Sequence, residues 1–394
     1  MKKDLNLEKS DYRIQWWIET IGCIIFLISI IYFERISLVI QSLVPSGADP
    51  GNWLTAAWEI GGKNIRLVEW AYPPFLFVVL RVLLIFYGSM VSLRIIGIVA
   101  WALIGVTFIL SARIMNPKQE FYIQLGIAVF ILLAGYQGEI YVWGGYPQLL
   151  GAAFLLTVFP ALEQWFRENK KNRLILAIHC TEGVIYTHHF LAAVMVIFFF
   201  LMFLLTLFRN LSGYGTVIRK WLVFLIPAVI LAIPSIWFYW HYFQYLGTVP
   251  TNPQQFDLKN INLLFDYVFQ NQAWIWIPVL VISLIFALIY KNNTLSNPTI
   301  IFIGGSLVLL FVSWEVRLSQ LLIIGAGYGL LLISDRLKQV HTSKWLSPLF
   351  GAAIAVLLVI SLPAAKNWFV KSTAYYQVVD GDAFSALEWL HRNS

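Results

Sequence analysis

Charged residues are scarce in this sequence. Of its 394 residues only 12% are Asp, Glu, Lys or Arg, and 59% are hydrophobic. A soluble domain carries about 25% charged residues, so the shortage excludes the ordinary soluble class and predicts a membrane protein. The isoelectric point near 9.2 is explained by basic loops at the cytoplasmic membrane face, and we expect no nucleic-acid partner.

Cysteine is nearly absent as well. Cys23 and Cys180 both fall inside apolar runs, which excludes a disulfide framework and a cysteine-based metal site. A cleavable signal peptide is also missing, because no small-residue cleavage site follows the first apolar run. Residues Ile18 to Phe33 are therefore predicted to be a signal anchor that stays in place.

The sequence is instead rich in long apolar runs. Eleven of them approach the roughly 20 residues that cross a bilayer, and they predict an all-α, polytopic transmembrane bundle embedded in lipid. The predicted spans lie near residues 17–34, 93–112, 120–138, 147–165, 173–187, 190–208, 221–240, 273–290, 298–314, 318–334 and 346–364.

One further apolar segment, Pro73 to Gly88, carries Arg81 and extends only about 24 Å as a helix, short of a hydrocarbon core of about 30 Å. If it lies on the outer surface, 17 Lys and Arg residues face inside and 10 face outside. If it spans, most inside charges, including the run RENKKNR, move outside, against the positive-inside rule. We therefore predict interfacial helices in the first outer loop, an inside N-terminus and an outside C-terminus.

This topology divides the chain into two parts. Residues 1–364 form the transmembrane domain, with its large outer loop at 34–93. Residues 365–394 begin an external segment whose end, FSALEWLHRNS, has the spacing of an amphipathic helix. We expect the chain to be a fragment that stops before an external domain. Because the cytoplasmic loops are short, we expect the active face outside, in the plasma (inner) membrane.

The first outer loop contains Asp49 in the run SGADPGNW. A carboxylate there could act as a general base that takes a proton from an acceptor hydroxyl, and it could help to hold a divalent cation. Alternatively, Asp49 is a helix N-cap followed by proline at the first helical position. One residue could do both.

Two further groups of polar residues lie between predicted spans. Glu139 belongs to the loop QGEIYVWGGYPQ, whose aromatic residues could stack on a sugar ring; the alternative is an ordinary interfacial turn. His188 and His189 end another span. Adjacent residues do not share a helix face, so a shared metal site is not expected, but either imidazole could donate to a phosphate or a sugar hydroxyl.

Arg317, in the run WEVRLSQ, lies at the outer end of a span. A guanidinium there matches the oxygens of a lipid phosphate; a local ion pair or a snorkelling side chain is the alternative. Arg94 is a second candidate of the same kind. His179 and Glu182, one helical turn apart, are predicted to form a pair within the membrane, either structural or functional.

Four of these features resemble the GT-C superfamily of glycosyltransferases, especially its oligosaccharyltransferase-like and mannosyltransferase-like members. They are the acidic outer loop GADPGNW, the YPP entry to an interfacial helix, the WGGYPQ turn and the C-terminal opening ALEWLHRNS. The resemblance implies an inverting transfer of sugar from a polyprenyl-phosphate donor to a glycan, lipid or protein acceptor. It implies Asp49 as base and Arg317 as phosphate ligand. We expect Glu139, His188, His189 and Arg94 to bind substrate as well.

The sequence departs from that family in one respect. Its first outer loop has no paired acidic motif, so the residues leave open whether a divalent metal takes part, and no other cofactor is expected. Two other functions stay open. A transporter or lipid flippase would need a polar route through the membrane midplane, where His179 and Glu182 stand nearly alone. A non-catalytic subunit could keep the same fold without the activity.

Overall fold

The computed structural model describes most of the chain. The described residues are 49–60, 74–209, 213–246, 273–291, 293–312, 317–340 and 346–376, with Gly22, Ile28 and Trp389. Within these ranges the regular structure is helical throughout, as the apolar runs predict. The helices are α1 Asp49–Glu59, α2 Phe75–Phe86, α3 Ser89–Met115, α4 Phe121–Leu132, α5 Gly135–Trp143, α6 Tyr146–Glu168, α7 Lys171–Thr187, α8 His189–Arg209, α9 Tyr214–Leu246, α10 Ala273–Ile289, α11 Ser296–Ile300, a π-helical turn Ile301–Gly305, α12 Ser306–Val312, α13 Leu318–Val340 and α14 Leu346–Tyr376.

Helices α6 and α13 form the centre of the bundle. Both are almost wholly buried, and α6 packs most extensively against α3 and α7. A helix that is apolar on every side belongs in such a position. Close approach of α3 to α6 requires Gly97, since a side chain there would meet the ring of Tyr146 at 2.8 Å. At mid-height the hydroxyl of Tyr328 in α13 donates to the carbonyl of Leu156 in α6 at 2.6 Å.

The helices at the periphery of the bundle present apolar side chains to their surroundings. On α9, for example, Ile226, Ile230 and Ile233 are each more than half exposed. In the part of the chain that the structure describes, six helices are long and apolar enough to cross a membrane, or seven if the bent pair α4–α5 is one span. Such extended apolar surfaces are stable in lipid and not in water. The protein is an integral membrane protein.

Ten of the eleven predicted spans coincide with helices; the first, 17–34, lies outside the described residues apart from Gly22 and Ile28. Helices α7 and α10 have 17 residues each, so they extend only about 25 Å. The count of eleven and the orientation therefore stay predictions. Helix α2 has 12 residues, about 18 Å, which favours the interfacial placement predicted for Pro73 to Gly88.

Two segments differ from the sequence-based prediction. The prediction of a loop around Glu139 is largely wrong, because residues Gly135–Trp143 form helix α5, bent by 52° from α4. Gly138 in this helix packs against Phe369 of α14. Helix α14 also passes residue 364 without a break and ends at Tyr376. The predicted amphipathic helix beyond it lies outside the described residues, apart from Trp389.

Candidate functional site

Helix α1, which begins at Asp49, docks on the turn between α5 and α6. The indole Nε1 of Trp53 donates to the carbonyl oxygen of Gly144 at 2.7 Å. Gly144 has a φ of +90°, which strongly favours glycine. A side chain there would also lie 2.7 Å from Pro50 Cγ. The WGGYPQ turn is therefore shaped to receive the residue that follows Asp49.

This docking brings Asp49 within electrostatic reach of Arg317. Burial raises the pKa of the Asp49 carboxyl above its ordinary value, and the positive charge of Arg317 opposes that increase. Asp49 begins α1 and Pro50 occupies its first turn, in agreement with the N-terminal role that the sequence allows. The structure therefore brings together the two residues that the sequence analysis assigns to separate roles, base and phosphate ligand.

Aromatic rings surround the guanidinium of Arg317. Its central carbon lies 5.9 Å from the centre of the Trp143 ring and 6.0 Å from that of Phe190. Cation–π contacts of this kind hold a guanidinium in place without neutralising its charge. Arg317 immediately precedes α13, so the charge stands at the end of a central helix.

His188 and His189 form the next wall of the site. They do not lie on one continuous helix, because α7 ends at Thr187 and His188 is extended (φ −151°, ψ 114°). Their rings stack 5.2 Å apart with an angle of 8° between the planes. Burial lowers the pKa of His188 well below its usual value, and the charges of His189 and Arg317 lower it further.

A neutral His188 has one defined tautomer. Its Nδ1 accepts a hydrogen bond from the backbone N–H of Leu191 at 3.2 Å. The proton of the neutral ring is therefore on Nε2, which makes that nitrogen a hydrogen-bond donor. This tautomer suits contact with a phosphate or hydroxyl oxygen.

Glu139 is buried in α5, with 1% of its surface exposed. Gln137, two residues earlier in the same helix, belongs to a network of glutamine side chains that the sequence analysis missed. The side chain of Gln148 in α6 donates to Gln320 at 3.0 Å, and Gln320 in α13 donates to Gln137 in α5 at 2.9 Å. The network joins the helices that carry Glu139, the WGGYPQ turn and Arg317. Three isolated glutamines have no common spacing, so no sequence signal marks them.

The remaining candidates lie on α3 and α7. Arg94 is half-buried in α3, one turn before Gly97. His179 and Glu182 form the predicted pair, with His179 Nδ1 3.2 Å from a Glu182 oxygen, and His179 is exposed. Within the described ranges, no group of three or more His, Cys, Asp or Glu side chains is arranged to hold a metal ion.

An apolar groove of about 320 Å³ runs along α7, α8 and α9, and His189 is part of its lining. Its lining includes small side chains, among them Ala192, Ala228 and Ala232, together with larger apolar groups. Because His189 stacks on His188 and precedes Phe190, the groove meets the Arg317 region at this point. The site therefore joins a charged centre to a channel suited to a hydrocarbon chain.

No protein-family model and no curated protein sequence matches the chain. Solved structures do share its fold, including two of one protein. ArnT from Cupriavidus metallidurans bound to undecaprenyl phosphate has a TM-score of 0.52 and 14% identity, over 90% of this chain and 75% of that chain. The apo structure of the same protein has a TM-score of 0.52 and 15% identity with the same coverage. The polytopic fold implied by the GT-C resemblance is thereby confirmed.

Proposed function

We propose that this protein is a membrane glycosyltransferase of the GT-C type. It would move a sugar from a polyprenyl-phosphate donor to a glycan, lipid or protein acceptor at the outer membrane face. The observation that carries the proposal is the electrostatic proximity of Asp49 to Arg317, at the point where an apolar groove begins. ArnT, which shares the fold, has been crystallised with undecaprenyl phosphate, and this supports a lipid phosphate as one ligand.

Each part of the site has a task in this reaction. The guanidinium of Arg317 would bind the donor phosphate, with the Nε2–H of His188 as a neutral donor to the same group. The polyprenyl chain would occupy the groove of α7, α8 and α9. Glu139, His189 and Arg94 would contribute to binding of donor or acceptor.

The chemical step would be a single displacement. The Asp49 carboxylate accepts the proton of the acceptor hydroxyl while that oxygen bonds to the anomeric carbon of the sugar. The bond between that carbon and the phosphate oxygen breaks, and polyprenyl phosphate leaves with the electron pair. Burial that raises the pKa of Asp49 makes its carboxylate a stronger base. Attack opposite the leaving group inverts the anomeric centre.

The deciding experiment measures undecaprenyl phosphate binding to the protein in nanodiscs, together with hydrolysis of undecaprenyl-phosphate hexoses, in which water replaces the unidentified acceptor. Arg317→Ala should weaken binding by about tenfold or more, since a charged hydrogen bond is worth about 1.5–3 kcal/mol. Asp49→Asn should keep binding and slow hydrolysis by about 10²–10⁴-fold. Arg81→Ala and Glu59→Gln are the matched controls.

Three outcomes would count against the proposal. Unchanged hydrolysis by a correctly inserted Asp49→Asn protein removes its base. Lipid flipping or solute uptake without any hydrolysis favours the transporter hypothesis. Failure of the parent protein to bind undecaprenyl phosphate favours a non-catalytic subunit.

A further inference from the structure

A polar cavity lies at the C-terminal ends of two helices whose N-terminal ends lie at the candidate site. Helices α6 and α8 start at Tyr146 and His189 and end at Glu168 and Arg209. The cavity has a volume of about 640 Å³ and is lined by the last turns of both. Because 21 helical residues extend about 30 Å, it is separated from the Asp49–Arg317 region by about the thickness of a hydrocarbon core.

The lining of this cavity is positively charged. It contains three cations, Arg167, Arg209 and Lys220, and one carboxylate, Glu163. Both oxygens of Glu163 are engaged: Arg167 Nε donates to one and Asn297 Nδ2 to the other, each at 2.6 Å. The carboxylate is therefore matched by Arg167, and two further positive charges remain.

Those two charges belong to Lys220 and Arg209, which both line the cavity. Lys220 Nζ donates to the backbone carbonyl of Phe166 at 2.7 Å, which fixes the ammonium and leaves it two more N–H donors. The charge of Arg209 interacts with both Glu163 and Arg167. Cations from three different helices thus surround one space, and its volume falls in the range of about 300–1,000 Å³ typical of small-ligand sites.

We propose that this cavity binds a phosphate-bearing ligand, as a site separate from the one at Asp49 and Arg317. Arginine and lysine donors arranged around a pocket are the usual partners of phosphate oxygens. The phosphate could belong to an anionic lipid of the leaflet opposite the candidate site, since basic pockets between membrane helices bind such headgroups. It could equally belong to a soluble phosphate compound.

Two binding measurements distinguish these sources. Inorganic pyrophosphate is titrated by calorimetry into the protein in phosphatidylcholine nanodiscs, and phosphatidic acid is compared with phosphatidylcholine by native mass spectrometry. The lining pair Arg209→Gln/Lys220→Gln should weaken binding by about tenfold or more. The control pair Lys171→Gln/Arg219→Gln removes the same charge from exposed positions at the same end of the bundle and should change binding by less than about twofold.

A third variant should change the binding affinity in the opposite direction. Glu163→Gln removes the carboxylate and should tighten binding severalfold, so the proposal can be tested even if the lining pair does not fold. Binding of phosphatidic acid alone identifies a lipid headgroup, and binding of pyrophosphate identifies a soluble compound. The proposal is overturned if neither probe binds, if the two pairs weaken binding equally, or if Glu163→Gln does not tighten it.

Discussion

The carboxyl of Asp49, at the start of α1, lies within electrostatic reach of the guanidinium of Arg317, which immediately precedes α13. Burial raises the pKa of Asp49, and the charge of Arg317 pulls it back down. The proton affinity of Asp49 therefore reflects both its burial and the charge of Arg317.

The pH dependence of sugar transfer should depend on Arg317. The base must be ionised, so the rate rises with pH through the pKa of Asp49, which lies above the ordinary value of about 3.9. Replacing Arg317 with Gln removes the charge that lowers this pKa, and the acid limb should move to higher pH. The measurement is donor hydrolysis at saturating donor, normalised to each variant's own plateau. Arg81→Gln should leave the acid limb in place. An unmoved acid limb in Arg317→Gln would show that Arg317 does not affect the ionisation of Asp49.

The same raised pKa makes a prediction about stability. A carboxyl whose pKa is raised on folding adds stability below its unfolded pKa, and that stability is lost as pH rises through its folded pKa. Asp49→Asn should therefore unfold like the parent at pH below about 3.9 and be more stable near pH 7. Thermal unfolding in nanodiscs at the two pH values tests this, with Glu59→Gln as the control. An Asp49→Asn protein less stable than the parent at pH 7 would show that the charge is stabilised by its surroundings.

The structure differs from the sequence-based predictions where tertiary contacts determine the local conformation. Apolar runs predict the helices because lipid imposes a length and a composition on each span. They do not predict α5, where Gly138 packs against Phe369 from a distant helix, nor the stacking of His188 on His189, which needs a break between two helices. Asp49 and Arg317 are recognisable one at a time, but their proximity depends on how α1 docks.

That docking should fail in Gly144→Ala. The added methyl would meet Pro50, and a φ of +90° costs an alanine about 1 kcal/mol or more. We expect α1 to shift, transfer to fall by at least tenfold and binding of undecaprenyl phosphate at Arg317 to be kept. Gly51→Ala is the matched control, because nothing lies within 4 Å of its methyl position and alanine favours the helix. Equal losses in the two variants would show that α1 tolerates no change at all.

The glutamine network should be cooperative. Gln320→Leu leaves the Gln137 oxygen and the Gln148 amide without the bonds at 2.9 and 3.0 Å that they now make. A buried polar group without a partner costs about 1–3 kcal/mol, so the variant should be less stable by a few kcal/mol. Replacing all three glutamines with leucine removes the stranded groups as well.

The triple variant should therefore recover part of the stability lost in the single one. Denaturation of both proteins in the same detergent measures the difference, and a double-mutant cycle apportions it. Losses that simply add from one substitution to the next would mean that the three side chains act independently. Undecaprenyl phosphate binding should weaken in Gln320→Leu, because Arg317 lies one turn away on the same chain segment.

The apolar groove should select for chain length in the lipid. Ala232 lines the groove, and Ala232→Trp would fill that space, whereas Ile233→Trp adds the same ring to a 56% exposed position of α9 that is not part of the lining. We expect Ala232→Trp to weaken binding of undecaprenyl phosphate severalfold and to leave binding of a phosphate with a short prenyl chain nearly unchanged, because a short chain does not reach the blocked segment. Each methylene that is kept out of the groove loses about 0.8 kcal/mol of transfer free energy, reduced by the favourable contact that it makes with bilayer lipid instead. If both tryptophan variants bind the long lipid as the parent does, the polyprenyl chain lies elsewhere on the bundle.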